Sequence, residues 1–435
     1  MAVTRLRAGA AVVDITPSPG CSMAGFAARR APATGVHDPL RASAVAVADA
    51  SATSVVVAAD LIALDHETAA LVADRVQART GVPARHVAVA VTHTHGGPAV
   101  TRGGIGGVAA PDYVADLVER LAEAGAAAVA GLRPATVASG HGRLTGVAHN
   151  RRGGELTDPC VPVLRLDGAD GTPIATVFSY ACHPVTLGPD NREITADWPA
   201  YARRDVARAL GGVPVFLQGC AGQLNTGHPA DASYRAAGAP DRTFAAAERI
   251  GAEVARVVIG VARTLAPAAE YGPVQVAAAD LELPLGPPEP SEALRARAGE
   301  WARVAAADPG DRGVLECWAR WAQACLRDPL PADVPVTVSA HRWGPVRLLF
   351  LPGEPFVELA LELREMLAEP GMVVAGYAGG VPGYLPYPPA AYLDGGYEVT
   401  EAHRAYGQPA ALAPGAGPRV LAAARTLAET LGSGA

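Results

Sequence analysis

The segment Val87-Ala88-Val89-Ala90-Val91-Thr92-His93-Thr94-His95-Gly96-Gly97-Pro98 decides how the rest of the chain is read. Its first five residues are small or β-branched with no polar interruption, the pattern of a strand buried on both faces. Gly96-Gly97-Pro98 then force a turn. At strand spacing, residues i and i+2 point to one side, so the imidazoles of His93 and His95 are expected to leave the strand together. Two neutral imidazoles at a strand end suit a divalent transition metal, zinc first. Taken alone, the pair also fits the polar finish of an edge strand.

Composition narrows the setting. The chain has 435 residues, half of them hydrophobic and 18% charged, which is ample for a large α/β core. Aromatics are only 5%, so that core must be built from Ala, Val and Leu. There is no lysine; all 36 basic residues are arginines, a bias of composition rather than of function. Net charge is −7, and paired arginines occur only as Arg29-Arg30, Arg151-Arg152 and Arg203-Arg204, so no nucleic-acid footprint is expected. Asp14 cuts the first apolar run too short for a signal peptide, and no segment approaches the ~20 apolar residues that span a bilayer. Cysteines 21, 160, 182, 220, 317 and 325 form no CxxC pair. Reduced thiols in a cytoplasmic protein are the expectation.

Read in order, the chain alternates strands and helices. Strands are expected at 8–15, 42–49, 53–60, 87–91, 161–166, 173–181, 213–218 and 346–351, with extended structure at 135–149. Helices are expected at 65–80, 111–131, 199–211, 241–265, 356–367 and 417–431. The proline-rich GPPEPSE run and the tryptophans Trp301, Trp318 and Trp321 mark 285–335 as a helical insertion. The fold class is therefore α/β, mixed sheets with flanking helices, and 1–435 is read as a single domain.

Four polar features follow directly on expected buried strands: His93, His183, the Gly219–Asn225 loop and Glu354. Ligand sites of open α/β sheets gather beyond the carboxyl ends of strands. Two histidines and a carboxylate with a position left for water make a catalytic zinc arrangement. Each feature also has a plainer reading: His183 as a hydrogen-bonded core histidine, Glu354 as a helix-start carboxylate, Asp60 as a turn cap.

THTHGGP, ACHP, QGCAGQLN, LPGEPF and GYLPY followed by GGYEV occur in this order, after AAVVDITPSPG, MAGF and GVHDPLRA and with HNRR between. Together they resemble the catalytic domain of the neutral/alkaline non-lysosomal ceramidase family over about 8–407. The resemblance implies a zinc-dependent amide hydrolase. By motif, His93, His183, Glu354 and Tyr384 would bind zinc, and His95 would stabilise or protonate the reacting oxygen. Arg151 of HNRR would hold the substrate's polar end, or is simply a surface arginine. Tyr377, Tyr387 and Tyr397 are neighbours that could be mistaken for Tyr384.

The chain departs from the family at AGQLNTG, where Asn225, beside Thr226, stands in the place of a serine. A water nucleophile is therefore expected, with Asn225 and Gly222 lining the substrate site. Asp60 and Asp197 are candidates for a base, or for orienting His93 and His183. The family's C-terminal β-sandwich domain is not expected here, and a small soluble N-acyl substrate is expected rather than a bilayer lipid. Two rivals stay open: a zinc-dependent lyase or cyclase, and a non-catalytic metal- or ligand-binding protein on the same scaffold. Homo-oligomers are possible.

Overall fold

In the computed structural model, which describes residues 5–230, 232, 238–265, 269–307, 312–327 and 329–432, two β-sheets pack face to face between outer helices. The larger sheet contains β1 (Arg7–Asp14), β2 (Arg41–Ala48), β3 (Thr53–Ala59), β4 (Val87–Val91), β5 (Arg133–Arg143), β6 (Cys160–Gly168), β7 (Pro173–Tyr180) and β8 (Val213–Gln218). Its spatial order is β8-β7-β6-β5-β1-β2-β3-β4. The smaller sheet runs β9 (Val274–Pro284), β10 (Asp333–Trp343), β11 (Val346–Phe350) and β12 (Val373–Ala375).

Period-2 alternation explains the layering. In β3, Val55 and Val57 face the helices His66–Thr80 and Pro111–Ala130, while Val56 and Ala58 face the second sheet. The inter-sheet core joins Val45, Val56, Val177 and Leu217 to Leu348, Phe350 and Val373. Beneath β6 to β8 lie the helices Trp198–Leu210 and Phe244–Thr264; the far face of the smaller sheet packs on Val357–Met366 and Ala416–Thr430. Small residues set the spacing in this aromatic-poor core. A Cβ on Gly125 would come within 2.8 Å of Val76, so the two helices over β3 touch only because that position is glycine.

Strand direction positions the site. Most pairings are antiparallel, but β3–β4, β7–β8 and β11–β12 are parallel. Each parallel pair ends at the same region: β3 runs to Asp60, β4 to His93, β7 to His183, β8 to the Gly219 loop, β11 to Glu354 and β12 to Tyr377. The sheets are stitched there by Val91 N–H to Tyr377 O (3.0 Å) and Gly376 N–H to Gln218 O (2.9 Å).

The expected strands and helices recur within a few residues, with two exceptions. Sequence reading passed over β9 and β10, a long antiparallel hairpin in which Val274 pairs with Trp343 and Pro284 with Asp333. β9 is rich in alanine and largely half-buried, so it lacks the strong alternation that marks a strand. The 285–335 stretch holds helices Ser291–Ala307 and Arg312–Arg327, an excursion from this hairpin, with 308–311 and 328 outside the described residues. Among the described residues, no helix is long and apolar enough to cross a membrane.

Candidate metal centre

His93 does not sit on a strand. β4 stops at Val91, and His93 takes a left-handed backbone conformation with φ 66°. Thr92 and His93 still bond to the end of β3 and the chain just after it, through Ala59 O and Leu61 O at 2.9 Å each. The two imidazoles therefore meet through a turn, not through strand alternation as the sequence reading had it; their ring centroids are 5.1 Å apart and perpendicular. His183 joins them from the end of β7, 4.7 Å from the His93 ring and 6.0 Å from that of His95.

Each ring is held the same way. Nδ1 of His93 bonds the Ile62 carbonyl at 2.6 Å, Nδ1 of His95 that of Gly25 at 3.0 Å, and Nδ1 of His183 those of Ala221 at 2.7 Å and Leu224 at 3.0 Å. A carbonyl can only accept, so all three Nδ1 atoms carry the proton and all three Nε2 atoms present a lone pair. Backbone carbonyls thus orient the rings, one of the two roles for which Asp60 and Asp197 are candidates from sequence. Asp60 instead pairs with Arg203 at 2.6 Å, and Asp197 caps the helix Trp198–Leu210 through Trp198 N–H at 2.6 Å. Gly25 belongs to this arrangement: at φ +107°, a Cβ there would lie 2.8 Å from Nδ1 of His95.

Two of the lone pairs meet at Glu354. Its Oε2 is 2.9 Å from Nε2 of His183 and 3.2 Å from Nε2 of His93, all three side chains being essentially buried. Tyr377 reaches the same oxygen at 3.5 Å, and Tyr406 donates to Oε1. Nε2 of His93 and Nε2 of His95 are buried with no hydrogen-bond partner. The candidate ligand atoms of His93, His95 and His183 all lie within 4.8 Å of one another, so this group could hold a metal ion. Burial favours the neutral rings, pulling His183 down to about 4 and His95 well below the ordinary imidazole value. Burial pushes the Glu354 carboxyl up, and His93 and His183, when protonated, outweigh it and draw the group well below the usual range.

Tyr384 pairs backbone to backbone with Glu354 and turns its hydroxyl to Arg151 Nη2, 2.9 Å away. Arg151 is no surface arginine: its side chain is 6% exposed, with Nε on Glu398 at 2.8 Å and Nη2 also on the Gly222 carbonyl at 2.9 Å. One narrow cavity of about 20 Å³, roughly one water sphere, is lined by His93, His95, Arg151, Asn225, Glu354 and Tyr384 among others.

Residues 6–213 match the family described as neutral/alkaline non-lysosomal ceramidase, N-terminal. Just under half of the chain is thus similar to this family. A comparison with curated proteins gives no match. Among solved structures, the fold is similar to neutral ceramidase from Pseudomonas aeruginosa, at TM-score 0.73 and 19% identity over 98% of this chain and 75% of that one. It is equally similar to a ceramidase complexed with C2, at TM-score 0.74 and 18% identity over the same shares. The match supports a hydrolase.

Within the ceramidase fold, the AGQLNTG loop is occupied with its own geometry. Asn225 Oδ1 accepts from Gly227 N–H at 2.9 Å and His228 N–H at 3.1 Å, and Nδ2 donates to His228 O at 2.7 Å. Both ends of the amide are used within the loop. Gly222 N–H is given to Pro355 O at 2.9 Å, and a Cβ there would strike the Glu354 carbonyl at 2.6 Å. Gly222 thus packs behind Glu354 while Asn225 faces the cavity.

Sequence reading missed Tyr406 and Glu398 as site residues. Glu398 lies in the GGYEV motif, and a buried acid behind HNRR was the available signal: it takes Arg151 on one oxygen and Arg152 on the other, at 2.8 and 3.0 Å. Tyr406 gave none, because a loop tyrosine that reaches a carboxylate looks like any other.

Proposed function

We propose that this protein is a zinc-dependent amidohydrolase that cleaves an amide bond of a small N-acyl compound, with water as the nucleophile. The observation that supports it is the locking of three imidazoles by backbone carbonyls, with the Nε2 atoms of His93 and His183 turned on one buried carboxylate. The separations from Glu354 Oε2, 2.9 and 3.2 Å, are near the ~3.3 Å between ligands of a tetrahedral zinc bound at ~2.0–2.1 Å. Two of the Nε2 atoms otherwise have no partner. His93, His183, Glu354 and Tyr384 would hold the ion. When bound, zinc supplies Lewis acidity, making water nucleophilic near neutral pH and polarising an amide carbonyl.

The remaining residues supply the proton and charge handling. His95, neutral with a bare Nε2, takes a proton from the attacking water and returns one to the leaving amine. Arg151 steadies the Tyr384 hydroxyl that would complete the ion's ligand set. Asn225, with its amide engaged, is no nucleophile and walls the cavity. We read 1–435 as one catalytic unit. Its six cysteines form no disulfide, which suits a reducing compartment, and we place it in the cytoplasm.

Metal analysis of protein purified without chelator should give about one zinc per chain, lost in the His93→Ala/His183→Ala variant. Product masses from an N-acyl panel should show one added water. Full activity in metal-free protein would overturn the proposal, and products without added water would move it to lyase or cyclase chemistry.

A further inference from the structure

Arg242 precedes Thr243, the N-cap of the helix Phe244–Thr264, and is 8% exposed. Its guanidinium reaches the segment just after His183: Nη2 donates to the carbonyls of Val185 at 3.0 Å and Leu187 at 2.8 Å, and Nε to that of Thr186 at 3.4 Å. Nη1 bonds to no described residue, and Arg242 lines the same cavity as His93, His95 and Glu354. Carbonyls satisfy N–H groups without cancelling the charge. The carboxylates of Asp197, Asp190 and Asp241 act on it only across space.

A second cation stands behind it. Arg29, 6% exposed, gives Nη1 to the carbonyls of Ala24 and His95, both at 2.9 Å, and its Nε is buried with no partner. The guanidiniums of Arg29 and Arg242 lie 4.8 and 5.5 Å from the ring centre of Phe26, whose centroid is 5.0 Å from that of the His95 ring. Arg151 stands with Glu354 and Tyr384, and Glu398 answers its charge. Of the ionised groups that line the cavity, Glu354 is already engaged by imidazoles and Tyr406. Among the described residues that line the cavity, the charged side chain left on the His95 side is Arg242, with the carboxylates of Asp197, Asp190 and Asp241 near it but outside the lining.

We propose that the substrate amide carries a carboxylate and that Arg242 receives it through Nη1. A guanidinium pairs with a carboxylate through directed, charge-assisted hydrogen bonds, and burial strengthens them. The word substrate rests on the amidase reading above; the anion site does not require catalysis. A purely structural Arg242, tying the Val185–Leu187 segment, would be indifferent to whether a ligand is acid or ester.

The test is equilibrium binding of N-hexanoylglycine and its methyl ester to the metal-stripped and the zinc-loaded full chain. Metal-stripped wild type should bind the acid saturably and at least about 10-fold more tightly than the ester, with the difference shrinking as salt rises. Arg242→Gln should erase the difference and Arg242→Lys should keep part of it. If Arg242→Gln does not fold, the acid-to-ester ratio and its salt dependence in the wild type decide alone. Equal binding of acid and ester by metal-stripped wild type overturns the inference. Failure of the zinc-loaded protein to cleave either compound, with acid binding intact, would overturn the amidase reading and leave the anion site standing.

Discussion

Tyr406 donates its hydroxyl to Oε1 of Glu354, the carboxylate oxygen that His93 and His183 leave open. The tyrosine is braced from behind by the helices Ser291–Ala307 and Arg312–Arg327. Arg404 stacks over Trp301, Trp318 and Trp321 at 5.4, 4.9 and 5.6 Å from their ring centres, and Trp321 Nε1 donates to Gln408 O at 2.8 Å. The inserted helices thus grip both flanks of the residue that completes the carboxylate's bonding.

Tyr406→Phe removes that bond and little volume. A partner of a metal-binding carboxylate typically matters by ~10–100-fold in affinity. Zinc affinity, measured by competition with a chromogenic chelator, is expected to fall by that factor while the far-ultraviolet circular dichroism stays unchanged. An unaltered affinity would mean that Glu354 is held well enough by Tyr377 and the imidazoles.

Gly25→Ala tests the positioning of His95. The substitution forces a residue with Cβ to φ +107° and drives that Cβ to 2.8 Å from Nδ1 of His95. Backbone strain of about 1–3 kcal/mol is expected, and the ring must shift. Zinc content should persist, because His93, His183 and Glu354 are untouched, while kcat on an amide substrate falls by about 100-fold, the usual effect of a displacement near 1 Å. Loss of zinc together with activity would show that His95 is a ligand.

Much of this was legible before the structure, and the reasons are particular. Val87–Val91 and Val213–Gln218 are uninterrupted apolar runs closed by turn residues, so the strands and the polar groups after them could be placed from sequence. That His93, His183 and Glu354 converge could be expected only because parallel strands deliver their ends to one edge. The orienting groups were not legible, since Ile62, Gly25, Ala221 and Leu224 act through backbone carbonyls, which every residue possesses. Nor was the work of Asp60 and Asp197: an acid beside a strand end looks the same whether it serves a histidine, an arginine or a helix.

Asp60 separates the two uses of such an acid. Its carboxylate is fully buried, bonded to Arg203 at 2.6 Å, to Arg41 N–H at 2.8 Å and to Thr92 at 3.2 Å. Arg203 Nη1 already lacks a partner, so Asp60→Asn leaves a buried cation uncompensated. The expected cost is about 3–5 kcal/mol in urea unfolding, and Asp60→Asn/Arg203→Met should recover much of it. A stable Asp60→Asn protein that has lost activity would instead restore the aspartate as a base.

His341 sets an acid limit on the fold. It is fully buried between the sheets, Nδ1 against Ser54 Oγ at 2.7 Å, and Ser54 in turn accepts from Trp343 Nε1 at 2.8 Å. Burial, with a smaller contribution from His86, pulls its pKa from 6.5 to about 3. The folded value is depressed, so the neutral ring's contribution is complete above pH ~6.5 and is lost as the unfolded chain takes up the proton on acidification. Between about pH 6 and pH 4 one such group costs ~1.4 kcal/mol of stability per pH unit. Urea unfolding of metal-free wild type and His341→Leu at several pH values checks this. The variant is expected to be less stable at pH 7.5, because the Ser54 hydroxyl loses its acceptor, yet to lose stability more slowly below pH 6, the two curves converging by about one proton's slope. Parallel curves would show that His341 is already protonated in the folded chain.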